Sequence, residues 1–187
     1  MKKTLAIILL LCALSLSGCM GAPKKHITDI NEYGKYDTCV GEWETAFFPK
    51  LDKNIMSNFK YSYNVDCYID CAHEIYLEFT IEDKEEFANF INRHQNSIIQ
   101  EYENVIVQTF KHDEAYTEVV IDDDIRTRKD DDGRLVIDCA HIRKLIYNEE
   151  SRSIIFVTLY VTDYWGFENS TYIERFSIDP RKLPSRN

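Results

Sequence analysis

Glycine and proline are scarce in this sequence, at six and four of 187 residues. That leaves little material for a phosphate-cradling glycine loop, and it excludes a collagen-like or linker-rich chain. Bases are in deficit as well: 22 Lys and Arg stand against 32 Asp and Glu, a formal net charge of −10. A nucleic-acid binder of this size carries the opposite sign, so no nucleic-acid partner is expected. Catalytic signatures are missing. There is no Gly-x-Ser-x-Gly, no His-Glu-x-x-His, no P-loop and no dinucleotide fingerprint, and no cofactor is expected. The adjacent pairs His73-Glu74 and His112-Asp113 project to opposite faces of a strand, so neither forms an acid–base couple. These shortages favour a binding domain over an enzyme.

What is present is an ordinary globular composition, 44% hydrophobic and 29% charged, at a length that suits one domain. The N-terminus is the exception. Met1-Lys2-Lys3 precedes an apolar run from Leu5 to Leu16, then Ser17-Gly18-Cys19. A basic start, a short apolar stretch and small residues are the parts of a secretory signal, and the run is shorter than the ~20 residues a membrane-spanning helix needs. Leu16-Ser17-Gly18-Cys19 resembles the lipobox of bacterial lipoproteins. The resemblance implies that residues 1–18 are removed as a signal peptide, and that the thiol of Cys19 carries a diacylglyceryl group. The protein would then be anchored in a membrane through that lipid, on the extracytoplasmic side of the cell envelope. Two or three acyl chains hold stably where one holds weakly. Loss of residues 1–18 removes two lysines and no acids, leaving 20 bases and 32 acids, formally −12. So acidic a domain is repelled by anionic headgroups and is expected to stand off the surface, with residues 19–38 as lipidated N-terminus and tether and residues 39–187 as a single α+β domain.

Within that domain, period-two alternation predicts one long strand with Val65, Cys67, Ile69, Cys71, His73, Ile75, Leu77, Phe79 and Ile81 on one face. Asp83 with Glu86 marks a helix start, and Phe87, Phe90, Ile91, His94, Ile98 and Tyr102 follow at helical spacing. A shorter helix is predicted over 50–59. The remainder reads as strands at 105–112, 116–122, 135–147, 153–162 and 172–178, with the acidic stretch Asp122–Asp132 as a loop and Asp132-Gly133 as a tight turn. The sum is an α+β fold: long strand, main helix, then an antiparallel meander curving around the helix, an order of elements that loosely resembles cystatin-like and NTF2-like folds.

The pentapeptide Ile69-Asp70-Cys71-Ala72-His73 recurs unchanged at Ile137-Asp138-Cys139-Ala140-His141. Beyond the lipid site four cysteines remain, Cys39, Cys67, Cys71 and Cys139, an even number that suits two disulfides in an exported domain. On a single strand Cys67 and Cys71 would lie ~13 Å apart, beyond the ~7 Å limit for a bridge. The matching repeats then favour Cys71–Cys139, leaving Cys39–Cys67. An alternative is a metal centre: two such strands brought side by side would offer Cys71, His73, Cys139 and His141, a set suited to zinc or copper. The acidic run does not fit a calcium loop, because Arg128 and Cys139 would occupy its first and twelfth positions. Tyr160, Tyr164, Trp165, Phe167 and Tyr172 gather around one turn, either as a binding rim for a protein or glycan partner or as caps on the sheet core.

Overall fold

The computed structural model describes residues 24–38, 40–67, 71–162 and 165–185, without the side chains of Cys67, Cys71 and Phe167. Cys19, Cys39 and Tyr164 lie outside the described residues. The fold is α+β. Seven strands, β1 (Lys25–Ile27), β2 (Ser57–Cys67), β3 (Cys71–Thr80), β4 (Ile106–Lys111), β5 (Ala115–Lys129), β6 (Leu135–Asn148) and β7 (Ser153–Val161), form one antiparallel sheet. Their order across it is β1-β2-β3-β7-β6-β5-β4. Among the described residues three α-helices accompany it: α1 (Glu42–Thr45), α2 (Lys84–Glu101) and α3 (Thr171–Arg175). No described helix is long and apolar enough to cross a membrane.

Both faces of the sheet are covered. On the first, Phe87, Phe90, Ile91 and Ile98 of α2 pack on Leu77, Phe79, Val119, Leu145 and Phe156. Asp83 caps this helix by accepting from the Glu85 and Glu86 amides, both at 2.9 Å, satisfying two of the donors a helix start leaves open. Towards β1, the same face is closed by Tyr33 and Tyr36 against Tyr61 and Tyr63. On the second face, Trp165 and the Tyr172, Ile173 and Phe176 side chains cover Ile142, Ile155, Val157 and Leu159. Register shifts at Val120/Asp122 and Arg126/Thr127 interrupt the β5–β6 ladder, as bulges do where a long pair must bend.

Several expectations change. The single strand over 65–81 is a hairpin, with Cys67 opposite Cys71, Val65 opposite His73 and Tyr63 opposite Ile75. Because three residues separate the closing pair, partners share parity, and the alternation passes through the reversal unbroken. Residues 50–59 form no helix; Ser57 already opens β2. Leu51, Ile55, Met56 and Phe59 nonetheless pack on the core. The Asp122–Asp124 run lies within β5, and the loop shrinks to the Asp130–Arg134 turn, where Gly133 takes φ +77°. The last strand expected, 172–178, is instead the α3 turn capped by Ser170. From Lys25 onward the expected tether is part of the domain, since Lys25, His26 and Ile27 pair with Val65, Asn64 and Tyr63.

Candidate functional site

The topology gives the repeated pentapeptide a role that neither disulfide nor metal captures. β3 and β6 both run antiparallel to β7, and His73 and His141 both stand opposite Tyr160. Val65, His73, Tyr160, His141 and Asp124 thus form one row across five strands, with side chains on a common face. The two histidines flank the tyrosine: the His73 ring stacks on it at 5.5 Å and 27°, and the His141 ring meets it edge-on at 5.8 Å and 88°.

Helix α1 lies over this row. Its short turn is closed from within, because the Gly41 amide donates to Glu44 Oε2 at 2.6 Å. The other oxygen, Oε1, sits 2.8 Å from His73 Nε2. His73 is fully buried and Glu44 nearly so. The pair is within hydrogen-bond distance, and it leaves the other ring nitrogen, Nδ1, facing the interior. Among the described residues no partner meets that Nδ1 atom. Trp43, the neighbour of Glu44, is 46% exposed. Its indole contacts His141 at 5.3 Å and Tyr160 at 6.4 Å. The Arg143 guanidinium lies 4.9 Å from the ring centres of both Trp43 and Tyr102, donates to Asp122 Oδ2 at 2.5 Å and reaches the Trp43 carbonyl at 3.2 Å. His141 Nε2 is 3.8 Å from the same carboxylate. A cation between two aromatic faces, neutralised by one acid, is a stable mounting. It holds Trp43 as a fixed aromatic surface beside a half-exposed imidazole.

A scan against protein-family models, a search of curated proteins and a search of solved structures each return no match to this chain.

On the opposite face the charges are internal. Glu74 is fully buried, and burial pushes its carboxyl pKa up against the opposing effect of four donors. These are the Tyr172 and Thr171 amides, both at 2.8 Å, the Ser170 hydroxyl at 2.9 Å and the Asn64 amide at 3.0 Å. The carboxylate therefore fastens α3 to the sheet. Lys144 sits between Glu118 and Asp123, at 3.2 and 2.8 Å. Desolvation works against its charge, but Tyr172, Asp123 and Glu118 hold its pKa above the ordinary lysine value.

The sequence-derived sites fare unequally. Cys139 is a free, half-buried thiol, and β7 separates its strand from that of Cys71. Two strand spacings amount to ~10 Å, outside bridging range, so the Cys71–Cys139 disulfide is withdrawn. The pairing that had been excluded, Cys67 with Cys71, is the one whose backbones stand in register. The metal alternative required the two Cys-Ala-His strands to be neighbours; Tyr160 stands between their histidines instead. Among the described residues no three His, Cys, Asp or Glu side chains gather to hold an ion. The aromatic rim divides. Trp165 and Tyr172 are buried in the second-face core, while Tyr160 belongs to the first face. Sequence reasoning missed Trp43, Glu44 and Arg143. The one available signal was Glu44 three residues after Gly41, the spacing of a capping box with glycine at its head.

Proposed function

We propose that the protein is an exported lipoprotein, held at the cell envelope by acylation of Cys19, whose folded domain binds a partner and does not turn over a substrate. The carrying observation is Leu16-Ser17-Gly18-Cys19 at the end of a signal-like apolar run. The exposed Trp43 indole, seated on the buried Arg143 guanidinium beside His141, supports the binding reading. Exposed tryptophan mounted on arginine is the chemistry of contact hot spots, for a protein or a glycan partner alike. We also propose a cystatin-like or NTF2-like architecture for the domain, a reading supported by a long helix packed on an antiparallel sheet; that likeness carries no functional weight. The test is metabolic labelling with a fatty acid in a bacterial host. The chain should take up label and lose residues 1–18, while Cys19→Ser remains unlabelled and unprocessed. Incorporation of acyl chains into Cys19→Ser would overturn the reading.

A further inference from the structure

We propose that the anchored protein rests its β1 edge against the bilayer, with the sheet rising away and β4 outermost. This rests on the reading of Cys19 as the lipidated residue. Four residues, Met20 to Pro23, separate Cys19 from Lys24. Five residue steps at ~3.6 Å give a reach of about 18 Å even for a fully extended chain. The folded domain begins at the end of that reach, because Lys25 is already paired with Val65. β1 is one edge of the sheet and β4 the other, six strand spacings or about 29 Å away. The leash is therefore shorter than the sheet is wide. It brings the β1 edge down, and it is too short to pass around the domain and present the β4 edge.

Charge agrees with length. Residues 24–37 hold three lysines and three acids, so the formal −12 of the chain after Gly18 lies wholly beyond them. The exposed lysines of this edge are locally matched: Lys24 with Asp66 at 2.7 Å, Lys25 with Asp37 at 2.5 Å and Lys35 with Glu32 at 3.0 Å. With Asp66 counted, the edge carries about one net negative charge of the formal −12, so it approaches anionic headgroups with far less repulsion than the rest of the domain. The acidic globule thus does not stand off as its total charge suggested; its nearly neutral edge faces the lipid.

The test uses the acylated full-length product, its N-terminus verified by intact mass, in vesicles of phosphatidylethanolamine and phosphatidylglycerol. A membrane-impermeant amine reagent is applied, and lysine labelling is read by mass spectrometry. The reference is the same protein with a flexible 15-residue Gly/Ser spacer inserted after Met20, a length at which the domain moves free of the surface. Lys24, Lys25 and Lys35 should label at least about threefold more slowly in the parent than in the spacer form, with Lys111 of β4 equal in both. Equal labelling of the three lysines in both forms, or protection of Lys111, overturns the orientation alone. An intact mass without acyl chains overturns the lipidation reading, and the orientation falls with it.

Discussion

Replacing Glu44 by alanine tests the centre of the candidate site most directly. The substitution removes the partner of a fully buried imidazole and, with it, the acceptor of the Gly41 amide. Hydrogen bonds to charged groups contribute ~1.5–3 kcal/mol, and leaving a buried donor without a partner costs ~1–3 kcal/mol. Loss of a helix-start acceptor adds ~0.5–1 kcal/mol. Since the first two figures describe overlapping losses, the expected destabilisation is about 3 kcal/mol. With a urea slope of ~2 kcal/mol/M, the unfolding midpoint should fall by about 1.5 M. Glu44→Gln keeps one oxygen for His73 and should lose about half as much, because its amide group then faces the Gly41 donor. Fluorescence reports the transition, since Trp165 is buried and Trp43 lies against Tyr160. A Glu44→Ala midpoint within about 0.3 M of the parent would show that the pair contributes little, and that α1 is held by Trp43 and Arg143 instead.

Two further outcomes follow from the thiols and from β1. In the folded, oxidised chain Cys139 should be alkylated while any bridge within the first hairpin joins Cys67 to Cys71; peptide mapping that finds Cys71 linked to Cys139 would refute the strand order. The Asp37 carboxyl is held below its ordinary value chiefly by hydrogen bonding to Lys25, so the unfolded state binds its proton more readily than the folded one. That contribution to stability is present above the unfolded pKa of 3.8 and is lost as pH falls through the lower folded value. Amide exchange at Lys25–Ile27 should accelerate below that pH relative to β7; equal protection ratios at pH 3 and pH 6 would be inconsistent with the Asp37 tie.

Much of the fold was legible because burial and period are coupled. The stripe of Phe87, Phe90, Ile91 and Ile98 faces the sheet as spaced, and Asp83 caps its helix. What escaped were features whose local signal is degenerate. A reversal between partners of equal parity leaves the alternation of 65–81 intact, so a hairpin and a long strand read alike. The Asp122–Asp124 run reads as loop by composition, yet Asp122 pairs with Arg143 and Asp123 with Lys144; partners on β6 supply what propensity withholds. Thr171–Arg175 is helical because Glu74, far off in sequence, accepts its first two amides. The candidate site was half legible. Its repeat was visible in the sequence, but the strand that separates the two copies, and the helix that covers them, depend on long-range pairing.

That central strand makes the two copies of the pentapeptide energetically dependent on each other. Tyr160 is the one ring against which both His73 and His141 rest, and neither histidine can shift without moving a surface the other uses. Changes at the two positions should therefore fail to add, despite a whole strand lying between them. A ligand that displaced Trp43 from His141 would be felt at the buried Glu44–His73 pair by two routes, through the tyrosine and along α1, where Trp43 and Glu44 are adjacent.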